Sequence, residues 1–327
     1  MPAFHRSIRA LVLASAFWLP VPAAFAQANL ESAKIPQPHL AKARAIAFGE
    51  NGWKFPALIT CYPDEGQSAE HVIKDPGPGK AADNFYFLGT GIVAAWAVNT
   101  SDGIILIDAL DNQAEVDKFI IAGLQHFGLD PARIKTIIVS HGHGDHYGGA
   151  RYLQDKYHAK LYMTALDYDL AEKPLTAPRD WGPPPRRDQV AKDGDTVTLG
   201  DETIKLFITP GHTPASLSML IPVKDKGQNR TLLYLGGITN KGLKPEMHAA
   251  YDEWTDRLLK DAATADGVIG NHSSYDEAAT KMDKLRIMPG KPNPFFTGAA
   301  NTSRYLQVLK ECNLNNWEIE KALRGEK

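Results

Sequence analysis

Six consecutive residues, His141-Gly142-His143-Gly144-Asp145-His146, gather three imidazoles and one carboxylate on a short stretch of backbone. Near pH 7 most of these imidazoles are neutral and carry lone pairs that need a partner. A divalent cation suits them. Neutral His nitrogens and an ionised Asp are good ligands for first-row metals, and zinc accepts both at about 2.0–2.2 Å. The bland alternative is a His-rich surface loop that collects metal incidentally.

The flanking residues argue for a built site. Ile134 to Val139 (IKTIIV) is a β-branched apolar run that reads as a buried strand ending at Ser140. Gly148 and Gly149 follow the histidines, and then ARYLQDKY, whose apolar spacing fits a helix. The histidines therefore occupy a loop at the carboxyl end of a strand, where open α/β sheets place their sites.

The chain has 327 residues, 43% apolar and 23% charged, with a formal net charge of −2. That balance fits a globular protein, and no basic stripe points to nucleic acid. His5, Arg6 and Arg9, the apolar run LVLASAFWL and Ala24-Phe25-Ala26 form the pattern of a secretory signal peptide over residues 1–26. Pro20 and Pro22 shorten the apolar stretch below membrane-spanning length. The expectation is an exported, periplasmic or secreted protein without a membrane span, whose charge falls to −4 once Arg6 and Arg9 are removed. In an oxidising compartment Cys61 and Cys312 could form a disulfide, but their spacing alone leaves the pairing open.

Residues 27–83, rich in Pro, Gly and Lys, read as an N-terminal arm packed on the domain, and residues 84–327 as the domain itself. Strand-like runs begin at Asn84 (FYFLG, GIVAAWAVNT, GIILIDA), and a helix is expected over 113–127. KLYMTA at 160–165 is a further strand, and residues 171–190, with Trp181, form a long loop. A second series (TVTLG, TIKLFITP, SLSMLIPV, TLLYLGG and VIGNH) leads into helices at 250–265, 275–287 and 301–324. The order predicts an α/β fold, a four-layer αβ/βα sandwich of two mixed β-sheets with helices outside.

Three more polar residues stand at strand ends. Asp108 closes IILI, His212 lies in Thr209-Pro210-Gly211-His212-Thr213-Pro214, and His272 follows VIG. Singly, each is ordinary. Together with the six-residue motif they resemble the metallo-β-lactamase superfamily, from about residue 84 to the C-terminal helix. The flanking segments AKDGDTVTLGD and NPFF look most like its subclass B3.

The resemblance implies two zinc ions per chain, one on His141, His143 and His212 and one on Asp145, His146 and His272, with Asp108 fixing the metal loop from behind. It implies an exported binuclear zinc hydrolase that opens the β-lactam amide by attack of a zinc-bound hydroxide, with Asp145 orienting the nucleophile. Asn271, Thr239, Ser216 and Trp181 are candidates for substrate contacts, with Tyr147 and Phe296 as further positions to test. One departure bears on the substrate: Gly237 stands where B3 enzymes usually carry a Ser, and Thr239, Ser216 and Ser218 are the hydroxyls that could compensate. A lactone, ester, phosphoester or activated aryl halide therefore stays open as the electrophile, and a non-catalytic metal-binding protein is a third reading. The partner expected is a small-molecule substrate; the sequence leaves the oligomeric state open.

Overall fold

The computed structural model describes residues 35–48, 53–62, 74–175, 177–240 and 242–326. The leader expected over residues 1–26 lies outside the described residues. Two sheets form the centre. The first has seven strands: β1 (Gly79–Ala82), β2 (Phe85–Phe87), β3 (Trp96–Asn99), β4 (Ile104–Ile107), β5 (Ile134–Ile138), β6 (Lys160–Thr164) and β7 (Gln189–Ala191), side by side in chain order. The second has five: β8 (Thr196–Leu199), β9 (Glu202–Ile208), β10 (Leu217–Asp225), β11 (Gln228–Leu235) and β12 (Gly267–Gly270), in the order β12-β11-β10-β9-β8. Both sheets are mixed: β1 to β4 run antiparallel and β4 to β7 parallel, while only the β11–β12 pair is parallel in the second.

The strand sequences explain the layering. All of Ile104–Ile107 is buried, as expected of a parallel strand covered on both faces. Ile105 and Ile107 face inward with Phe85, Trp96 and Ile138, against Leu206, Met219 and Ile269 of the second sheet. Ile104 and Leu106 face outward, beneath a helical stretch α1 (113–126) and the helices α2 (Ala150–Tyr157) and α3 (Ala165–Ala171). On the far side Leu233, Leu235 and Val268 lie under α4 (Pro245–Asp261) and α5 (Ala299–Leu323). The expected four-layer sandwich is therefore the fold. No described helix is long and apolar enough to cross a membrane.

Three details depart from the sequence expectations. Strand β1 falls inside the segment read as an arm, yet it is the first sheet's edge strand. The 171–190 loop is shorter than expected, because α3 precedes it and β7 ends it. The 113–126 helix carries a π-turn at Val116–Ile121. The arm itself contributes two helices, Pro38–Ala47 and Lys54–Cys61, packed on α5. There Cys61 and Cys312 are joined as a disulfide, with Cα atoms 4.7 Å apart.

A covalent loop of this length stabilises mainly by restricting the unfolded chain, by about 2–4 kcal/mol. Cys61→Ser should lower Tm by roughly 5–10 °C and leave metal content unchanged, measured by thermal unfolding and elemental analysis. Equal Tm values in wild type and variant would show that the bond adds nothing.

Candidate metal centre

The strand directions bring the polar residues to one edge. β4 and β5 are parallel, so Asp108 and Ser140-His141 emerge side by side. β9, β11 and β12 point the same way in the second sheet, which delivers His212, Gly237-Thr239 and His272 to the facing edge. Six residues predicted as ligands meet there as two groups of three: His141, His143 and His212, and Asp145, His146 and His272.

In the first group His141 Nε2, His143 Nδ1 and His212 Nε2 form a triangle with edges of 3.0, 3.1 and 3.1 Å. In the second, His146 Nε2 lies 3.3 Å from His272 Nε2 and 3.5 Å from Asp145 Oδ2, and His272 Nε2 lies 3.7 Å from the same oxygen. The His141 and His146 rings are 4.3 Å apart, so the two groups adjoin.

The outer nitrogens explain which lone pairs face inward. Asp108 is wholly buried and takes four donors: Ser140 N at 2.7 Å, Ser140 Oγ at 2.9 Å, His146 Nδ1 at 3.0 Å and the Tyr234 hydroxyl at 2.6 Å. With its proton on Nδ1, His146 presents a bare Nε2 to Asp145 and His272. Ser140 Oγ gives its hydrogen to Asp108 and so accepts from His141 Nδ1 at 3.1 Å, which bares His141 Nε2. His212 Nδ1 bonds the Thr239 hydroxyl and presents Nε2 in the same way. Outer partners of this kind fix the tautomer and orientation of metal-binding histidines. Asp108 holds a left-handed backbone conformation, φ 60°, which Asp tolerates better than most residues.

The electrostatics point the same way. Burial, reinforced by the neighbouring imidazoles, holds His141 and His212 well below the usual imidazole range. Burial pushes His272 down to about 4, and lowers His143 despite the nearby Asp145 carboxylate. His146 is the exception: burial works against its proton, but Asp145 and Asp108 outweigh it and raise the group. Burial opposes the charge on Asp145, yet the surrounding imidazoles keep it below the usual carboxylate range.

Three neutral nitrogens with lone pairs converging at 3.0–3.1 Å repel one another unless a cation lies between them. Ligands about 2.0–2.1 Å from a tetrahedral zinc stand roughly 3.3 Å apart, close to these separations. The donor set therefore fits zinc, with three imidazoles at one position and two imidazoles and a carboxylate at the next.

The expected substrate contacts fare differently. Ser216 is fully buried, its hydroxyl 2.6 Å from that of Thr213, and it shapes the His212 turn instead of facing a ligand. Ser218 is buried too and bonds Thr209 at 2.8 Å. The Thr239 hydroxyl oxygen accepts from His212 Nδ1 and keeps its own hydrogen. Asn271 is buried behind the ligands and gives Nδ2 to Gly236 O at 2.8 Å. Tyr147 is buried with its hydroxyl 3.4 Å from Ala171 O. Trp181 lies over the metal loop, where any Cβ at residue 144 would strike the indole, so Gly144 is the residue that lets the long loop close down. Phe296 packs on the inter-sheet core. Sequence reasoning missed Ser140 and Tyr234, the partners of Asp108, and Asp167, whose Oδ1 takes the Gly142 N–H.

A family model described as the metallo-beta-lactamase superfamily matches residues 88–225, a span that holds every ligand except His272. The chain is 27% identical to a hydroxyacylglutathione hydrolase of Acidiphilium cryptum over 48% of its own length and 56% of the relative's. It is 30% identical to a probable polyketide biosynthesis zinc-dependent hydrolase of Bacillus velezensis, over 35% and 44%. It thus spans about half the length of the curated relatives it matches. Among solved structures, the native FEZ-1 metallo-β-lactamase of Legionella gormanii superposes with a TM-score of 0.66 at 24% identity, covering 78% of this chain and 99% of that one. BJP-1, a subclass B3 metallo-β-lactamase of Bradyrhizobium japonicum, gives 0.62 at 24% identity, over 79% and 97%. These structural likenesses describe the shared fold. With that sandwich, that match over residues 88–225 and two ligand groups at its strand ends, the chain is similar to the metallo-β-lactamase superfamily.

Proposed function

We propose that this protein is a zinc-dependent hydrolase with two metal ions per chain, exported to an oxidising compartment. The observation that carries the reading is the pair of adjoining three-ligand groups with their lone pairs turned inward. Bound there, a zinc pair supplies Lewis acidity towards a carbonyl or phosphoryl oxygen and towards water. The chain's own residues do the rest. Asp108 and Ser140 keep His146 and His141 in the tautomers that offer Nε2. Asp145, 24% exposed where its neighbours are nearly enclosed, is placed to orient an attacking water and take its hydrogen bond. The leader-like N-terminus and the Cys61–Cys312 disulfide support export.

The fold makes opening of a β-lactam amide the first reaction to test. A second reading, hydrolysis of a lactone, ester, thioester or phosphoester, is favoured by the hydroxyls: Ser216 and Ser218 are buried and committed within the protein, which leaves only Thr239, whose oxygen accepts from His212 Nδ1 while its own hydrogen stays free, to stand in for the hydroxyl missing at Gly237. A non-catalytic metal-binding role fits less well, because Asp145 is partly open to solvent.

Four outcomes follow. The purified protein should hold two zinc equivalents by elemental analysis. In a panel of nitrocefin, imipenem, an acyl-homoserine lactone, an acylglutathione thioester and an aryl phosphodiester, a substrate other than the two lactams should turn over fastest. Faster nitrocefin turnover restores the β-lactam reading, and no turnover by the two-zinc protein favours the metal-binding one. Asp145→Ala should lose one zinc equivalent and lower kcat by roughly 10²-fold or more, with an unchanged circular dichroism spectrum; near-normal turnover would remove Asp145 from the centre. At Gly237 an added Cβ would lie 2.8 Å from His212 Cβ and Cδ2, so Gly237→Ser should displace His212 and weaken zinc binding without a gain on nitrocefin. Improved nitrocefin turnover in that variant would show the opposite.

A further inference from the structure

The three-histidine group joins two segments far apart in the chain, the 141–143 loop at the end of the first sheet and the 209–213 turn at the end of the second. One buried side chain touches both. Asp167, wholly enclosed in the first turn of α3, accepts the Gly142 N–H on Oδ1 at 3.1 Å and the Thr164 hydroxyl on Oδ2 at 2.9 Å. It also takes the Thr213 hydroxyl. Gly142 lies between two ligands, His141 and His143, and Thr213 directly follows a third, His212. The single Thr164 hydroxyl hydrogen is shared with Ala215 O, 3.1 Å away, on the His212 turn. On the other side of His141, the Ser140 N–H goes to Asp108 at 2.7 Å. His141 is thus bracketed by two buried carboxylates, each gripping one of the backbone amides beside it.

We propose that Asp167 is a positioning residue for the three-histidine group, fixing the separation between the 141–143 loop and the His212 turn and so the affinity and geometry of the metal held there. The proposal rests on the reading of these residues as a metal centre. Helix capping does not explain the arrangement. Thr164 already caps α3 by accepting the Asp167 N–H, whereas the carboxylate reaches outward to Gly142 and Thr213. A buried carboxylate can take all three donors at once, in charge-assisted bonds stronger than neutral ones. Groups that hold metal ligands from behind typically alter metal affinity by about 10–100-fold.

The test is cobalt(II) titration, followed by visible absorption, of the protein carrying Asp145→Ala, which isolates the three-histidine group. The same titration is run with Asp167→Ala, Asp167→Asn or Thr213→Val added, and thermal unfolding of each metal-free variant reports the fold. Asp167→Ala should weaken cobalt binding by about 10–100-fold and alter the shape of the d–d bands. Asp167→Asn, which keeps an oxygen for Gly142, should recover most of the affinity. Thr213→Val, which removes one donor to Asp167 and with it the partner of the Ser216 hydroxyl, should give a smaller loss and decides the matter if Asp167→Ala fails to fold. A folded Asp167→Ala variant, or failing that a Thr213→Val variant, that binds cobalt as tightly as its Asp145→Ala parent overturns the proposal. An Asp145→Ala parent that binds no cobalt, set against a wild type that binds none either, overturns the metal reading and the proposal with it.

Discussion

Five imidazoles are packed so closely that their nitrogens face one another at 3.0–3.3 Å, and the architecture around them exists to keep them there. Neutral imidazoles in that arrangement gain little from each other, since most of the inward-facing atoms are lone pairs. Burial removes the alternative of protonating them all. The constraint is therefore electrostatic: the cluster is stable as a receptor for positive charge, and each ring must be held by its far side. Asp108, Ser140 and Thr239 do this for His146, His141 and His212.

That requirement explains the use of both sheets. A strand end fixes a residue's position well but not the orientation of its ring, and one sheet edge cannot surround a cation. The parallel β4–β5 pair supplies Asp108 beside the metal loop, and the parallel β11–β12 pair supplies Thr239 beside His272. The buried Ile, Leu and Val residues behind these ends hold the two edges at a fixed distance.

The sequence made the ligands legible because they are chemically unusual and partly local. His141, His143, Asp145 and His146 declare a metal site within six residues, and runs such as IILI and IKTIIV show which strand ends point to it. His212 and His272 became readable only through the strands before them and the family likeness. The supporting residues were hidden for a different reason. An Asp three residues after a Thr reads as a helix start, and nothing in the types of Thr164 and Asp167 tells that the carboxylate turns away from its helix. The hydroxyls of Ser216, Ser218 and Thr239 were expected to meet a substrate because of where they fall in the chain. Which way a hydroxyl points depends on the acceptors packed around it, and those come from segments tens of residues away. Strand β1 went unread for a related cause: GKAA has no β-rich composition and becomes a strand by pairing with Phe85–Phe87.

The bond between Cys61 and Cys312 closes a ring of backbone that contains every residue of the metal centre, from Asp108 to His272. Between these two cysteines the backbone is topologically a circle. A single cleavage in any exposed loop of that circle opens it without parting it, since both fragments stay covalently attached. In surroundings where proteases are common, the molecule can be nicked once and still hold its two sheet edges face to face.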